Sequence, residues 1–99
     1  MIPGTTLIHT FSIPVDASSL AELRITYKQG EEIVLQKSKE NCVLNSKKVV
    51  VMLSQNDSLL FQDSIPVRIQ MKCKTTSGDV LVSRVKVVPV QEVLDREVI

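Results

Sequence analysis

A chain of 99 residues, with twelve Lys and Arg against eleven Asp and Glu, is long enough for one hydrophobic core and too short for a catalytic domain joined to a regulatory one. Its formal charge of +1 excludes recognition of nucleic acid or an anionic membrane by net charge alone. Fifteen valines and eight isoleucines against two alanines, Ala17 and Ala21, make a β composition, because branching at Cβ suits a pleated surface better than a helix.

The first predicted strand runs from Thr6 to Ile13. Leu7, His9, Phe11 and Ile13 share one parity, and Thr6, Thr10 and Ser12 share the other, giving one dry and one wet face. Pro14 removes a donor and ends it. A turn follows over Val15 to Ser19, and Ser18 to Glu22 can form one helical turn capped by Ser18 or Ser19. Leu23, Ile25 and Tyr27 then alternate with Arg24, Thr26 and Lys28, and Gln29-Gly30-Glu31 turns the chain into a strand from Glu32 to Lys37. Cys42 to Leu44 is a short apolar piece, separated by an Asn45-Ser46 turn from the strand Lys48 to Leu53. In that strand Val49, Val51 and Leu53 face one way, while Val50 and Met52 on the other side imply an outer face that is partly covered.

Ser54 to Ser58 is the strongest break, with Ser54 placed to cap a single turn and Leu59 and Phe61 to plug the end of the core. Immunoglobulin-like sandwiches have a comparable polar corner between strands of opposite sheets, although the tyrosine corner and disulfide of that fold are absent here. The best hairpin joins Pro66–Thr75 to Asp79–Val88. A three-residue Thr76-Ser77-Gly78 loop, with Gly78 left-handed, sets Val67, Ile69, Met71 and Cys73 beside Leu81, Ser83, Val85 and Val87. Arg68 then lies opposite Lys86. From Pro89 the spacing of Val90, Val93 and Leu94 is that of a helical turn's edge, but the Val-rich composition argues against much of one, and the tail ends on Val98-Ile99, which either pack on their own sandwich or cross to a neighbouring subunit. The expectation is one domain over residues 1–99: an all-β, immunoglobulin-like antiparallel β-sandwich of about seven strands.

Catalytic chemistry has little to draw on. His9 is the only histidine and sits on the apolar parity of its strand, so it reads as a rim or core residue rather than a base. Cys42 and Cys73 stand singly, a bridge between them is open but not required, and with one histidine they cannot complete a zinc site. Glu31-Glu32 and Asp95 with Glu97 read as solvated charges, and the three isolated glycines form no phosphate loop. No enzyme, cofactor, metal or small-molecule substrate is expected. No apolar run approaches the roughly 20 residues of a membrane helix, and Met1-Ile2-Pro3-Gly4 does not begin a secretion signal, so neither a membrane nor export is expected.

What the expected register does gather is charge. Arg68, Lys72 and Lys74 line an outer face beside Arg84 and Lys86, a candidate contact for an acidic protein surface. Nucleic acid is disfavoured, because the ribbon has no exposed aromatic for stacking. Val50 and Met52, with Val98 and Ile99, are candidate oligomer contacts, and a homo-oligomer is the expectation.

Five stretches carry a resemblance: Thr6 to Asp16 with Leu23 to Gln29, then Leu53 to Phe61 with Val67 to Met71, and finally Leu94 to Ile99. Together they resemble small proteins encoded in phages and prophages of gut Firmicutes. The resemblance implies a β-sandwich from the virion structural region, tail or baseplate or a capsid accessory, made in the host cytoplasm and carried into the virion. Its partners would be its own copies or another virion protein. The alternative is a phage-encoded module that engages or inhibits a host protein through the basic face.

Overall fold

The computed structural model describes residues 1–99. In chain order the strands are β1 (Leu7–Ser12), β2 (Leu20–Gln29), β3 (Glu32–Ser38), β4 (Cys42–Asn45), β5 (Lys48–Leu53), β6 (Val67–Thr75), β7 (Val80–Val82) and β8 (Lys86–Val88), with one helical turn, α1 (Gln55–Ser58), between β5 and β6. They form two antiparallel sheets, one ordered β1-β5-β4 and the other β3-β2-β6-β7 with β8 also paired to β6. These orders match the B-E-D and C′-C-F-G sheets of an immunoglobulin-type sandwich without its first strand, A.

Parity decides which side of each strand is dry. Val49, Val51 and Leu53 of β5 face Leu23, Ile25 and Tyr27 of β2 and Val67, Ile69, Met71 and Cys73 of β6 in one buried cluster. Tyr27 occupies the strand-C place where antibody domains carry tryptophan, and its ring packs tilted against Phe61 at 5.8 Å. Cys42 and Cys73 are both free thiols.

The 76–78 loop forms as the sequence requires. The Gly78 N–H donates to the Thr75 carbonyl at 3.0 Å, Gly78 has φ +96°, and Thr75 N–H closes the turn on the Asp79 carbonyl at 2.8 Å. The register holds through Lys72 opposite Val82 and then slips by one, so that Ile69 faces Lys86 and Arg68 faces Val87. The expected pairs of Ile69 with Val85 and Arg68 with Lys86 are therefore wrong. Ser83 causes the slip: its N–H donates to the Met71 carbonyl at 2.8 Å while its Oγ accepts from the Met71 N–H at 2.9 Å. One residue thus meets both of Met71's backbone groups, with the side chain replacing a ladder partner, and the strand bulges. Beyond the bulge Val87 is turned to the outside, opposite Arg68.

Three smaller points refine these expectations. The turn before β2 is a 3₁₀ turn at Ala17–Ser19 capped by Asp16, whose carboxylate accepts the Ser18 N–H at 2.9 Å; β2 has already started at Leu20, because Leu20 pairs with Thr75. The outer face of β5 is covered only in part: Val50 is half-buried between Thr10 and Val43, whereas Met52 is 61% exposed. The tail forms no helical turn. It crosses the end of the sandwich, where Arg96 donates to the Leu59 and Phe61 carbonyls and the Gln55 amide exchanges two hydrogen bonds with the backbone of Ile99. Val90 is buried, but Val98 and Ile99 remain exposed.

Polar locks hold that same end. Fully buried Ser58 accepts the Gly4 N–H at 2.9 Å and donates to the Thr5 carbonyl at 2.7 Å, fixing the approach to β1. The Gln29 amide donates to the Gln62 and Ile65 carbonyls and accepts the Gln62 N–H, so the loop into β6 is satisfied by one buried side chain. Ser54 caps α1 through the Asp57 N–H, and Lys37 reaches from β3 to Asp57 at 2.8 Å. Burial pushes the Asp57 carboxyl up, but the Lys37 ammonium and the Ser54 N–H more than offset it and hold it below the ordinary aspartate range.

Candidate functional site

The basic face is built by two strands. On β6 the outward residues Arg68, Lys72 and Lys74 alternate with buried Ile69, Met71 and Cys73. On β2 the outward residues include Arg24 and Lys28, and the pairing sets Arg24 opposite Lys72 and Lys28 opposite Arg68. Side chains directly opposite one another in an antiparallel pair have Cβ atoms about 5 Å apart, so both are like-charge pairs, which destabilise a sheet. Three carboxylates lie nearby: Glu22 is opposite Lys74, Glu40 lines a shallow pocket with Arg24, Lys72 and Lys74, and the Glu31 carboxylate is 3.8 Å from Arg68. Arg68 also donates to the Gly30 carbonyl at 2.6 Å.

Of the five cations expected on this face, Arg68, Lys72 and Lys74 are there. The bulge removes the other two: Lys86 faces inward opposite Ile69, and Arg84 and Lys86 both flank a groove beside β1. Arg24 and Lys28 take their place. The alternation of β2 shows that Arg24 and Lys28 point outward, but not that β2 lies next to β6. Along the margin of the face, Val80, Val82 and Val87 stand opposite Lys74, Lys72 and Arg68, each at least half exposed.

No family model matches the chain, and no characterised protein or solved structure is significantly similar to it. The surfaces must therefore speak through their own chemistry.

The outer face of the three-stranded sheet is the chemical opposite of the basic one. Ile8 stands opposite Met52, and Val50 lies between Thr10 and Val43 in the next row. Ile8 is 64% exposed and Val43 66%, so with Met52 they form an open apolar patch, and Lys48 at the far end of β5 is the only charged residue among the outward positions of these paired strands.

Between the sheets lies the one histidine. His9 Nδ1 is 2.8 Å from the hydroxyl of fully buried Tyr27. That hydroxyl has no other partner, so it donates to Nδ1 and leaves the imidazole neutral with its proton on Nε2; the reverse arrangement would strand a buried O–H. Burial lowers the His9 pKa, and the positive charges of Lys86 and the amino terminus lower it further. Burial raises the Tyr27 phenol strongly and the Cys42 and Cys73 thiols as well, so these groups stay protonated at neutral pH. No three His, Cys, Asp or Glu side chains converge as metal ligands do, and no helix is long and apolar enough to cross a membrane.

Proposed function

We propose that the protein is a non-enzymatic structural component of a phage particle that assembles with further copies of itself through the outer face of the three-stranded sheet. One observation carries the assembly: Ile8, Val43 and Met52 form a contiguous patch more than 60% exposed and nearly free of charge. Such a patch at the middle of a sheet marks an association surface, and a neutral one can meet its own copy without repulsion. The phage setting rests on the sequence resemblance and gives the assembly its context, a particle built from repeated subunits.

Sedimentation velocity across a concentration series tests this. The chain should associate reversibly, and Val43→Lys with Met52→Lys should keep it monomeric with an unchanged melting temperature. A wild-type chain that stays monomeric at the highest concentration would defeat self-assembly through this face. Mass spectrometry of purified particles tests the setting, with stoichiometric copies expected.

A second reading has its own support. Two like-charge pairs, Arg24 with Lys72 and Lys28 with Arg68, fit a face neutralised by an acidic partner, either another particle component or a host protein.

A further inference from the structure

We infer that the groove between β1 and the β7–β8 segment is an acceptor site for an extended, acidic strand of another protein. It lies on the opposite side of the sandwich from β3 and β4, is separate from the basic face and shares only Ile8 with the apolar patch.

The position comes from topology. The strand orders are those of an immunoglobulin-type sandwich lacking strand A, which in the complete fold lies along strand B. Here strand B is β1, and it is an edge with a strand partner on only one side. A groove of about 450 Å³ runs along it, walled by residues 8–12 on one side and by Ser83 to Lys86 on the other, with Ile69 also lining it. In an antiparallel edge strand alternate N–H and C=O groups point away from the only neighbour. Apart from the ladder to β5, residues 8–12 make no backbone hydrogen bond within the chain. The six residues of β1 match the span of an ordinary strand, so an added segment of that length can pair along its whole edge.

The chemistry of the occupant follows from the walls. Half-buried Phe11 and exposed Val85 line the groove as apolar contacts for an inserted strand, with buried Ile69 at its floor. Arg84 and Lys86 bring two cations, neither is in an ion pair, and no carboxylate lines the groove. The Ser83 bulge is what brings Lys86 here, since an unbroken register would have sent it to the outer face. A strand alternating apolar residues with Asp or Glu matches both features; one alternating with Lys or Arg would meet two cations in a confined space.

His9 is the reporter, because it lines the groove and is the only histidine in the chain. Two short synthetic peptides, valine alternating with glutamate and valine alternating with lysine, would be titrated into the isotope-labelled full chain and followed by NMR. The glutamate peptide should shift the His9 ring signals and the amides of residues 8–12 and 83–86. The lysine peptide should bind at least about tenfold more weakly. Arg84→Glu with Lys86→Glu should reverse that order, which a variant that merely unfolds cannot do. Shifts confined to Arg24, Lys28, Arg68 and Lys72, equal binding of the two peptides, or no binding of either would overturn the inference. So would concentration-dependent shifts of the His9 ring and the amides of residues 83–86 without peptide, which self-association through the Ile8, Val43 and Met52 face does not predict, since the occupant of the groove would then be a second copy of this chain.

Discussion

The two outer faces of this sandwich are made by the same device, a period-2 alternation over one shared core, yet they suit opposite partners. On the three-stranded sheet the outward positions include Ile8, Val43, Val50 and Met52, with Lys48 the one charge, and on the five-stranded sheet they include Arg24, Lys28, Arg68, Lys72 and Lys74, with Glu22 beside Lys74. Placed against its own copy, the first face buries apolar surface, whereas the second opposes cation to cation. The contrast teaches that the inward parity fixes the fold and leaves the outward parity free to be spent on recognition. A protein with both faces can therefore present one to itself and the other to something acidic.

The sharpest way to break the comparison is to ask whether either outer face contributes to the stability of the free chain. Ile69→Ala on the buried side of β6 should cost about 2–5 kcal/mol, by lost transfer and the cavity left behind. Met52→Ala on the open face should stay within about 0.5 kcal/mol. Urea denaturation of both variants at low protein concentration measures the difference. Equal losses would mean that Met52 is covered within the monomer and that the apolar face is part of the core.

How much of this was legible in the sequence follows the same division. The inward parities of β1, β2, β5 and β6, the Gly78 loop and the Ser54 cap were all readable, because each depends on neighbours within a few residues. Illegible features depended on which strands meet. Lys28 faces Arg68 only because β2 lies beside β6, across a sequence separation of about forty residues. The Ser83 bulge was hidden for another reason: a serine in a valine-rich strand looks like a tolerated outlier until its hydroxyl is seen taking the Met71 N–H. Ser58 and Gln29 read as loop polarity, yet both are buried and hold distant backbone groups. The basic face was thus found in part and the groove beside β1 was missed, since Arg84 and Lys86 had been placed on the wrong side.

A smaller effect of opposite sign sharpens the comparison. Lys72→Glu replaces a like-charge pair with an Arg24–Glu pair and should stabilise the free domain by about 0.2–1 kcal/mol. A rise in melting temperature together with weaker capture of an acidic partner would indicate that the face gives up stability for binding. A fall in melting temperature would mean that the cations are already compensated within the chain.

The smallest effect is a pH dependence that should leave the contrast between the faces untouched. Between pH 5 and 8 the lysines and arginines of the basic face stay charged and the apolar face has nothing to titrate, so the folded chain responds through His9 between the sheets. Its pKa is lowered in the fold from 6.5, first by burial and then by Lys86 and the amino terminus. The unfolded chain therefore takes up the proton first on acidification, and stability rises with pH where the unfolded state holds more protons. The contribution of neutral His9 is fully present above about pH 6.5 and declines as the pH falls below that value toward the lower folded pKa. Protonation also removes the Nδ1 lone pair that accepts the Tyr27 hydroxyl proton. Urea denaturation at pH 7.5 and 5.5 should show the loss in the wild type and equally in Lys72→Glu. His9→Asn, which offers an acceptor near Nδ1 but cannot titrate, should lose less between the two pH values. The same decline in that variant would place the titrating group elsewhere in the chain.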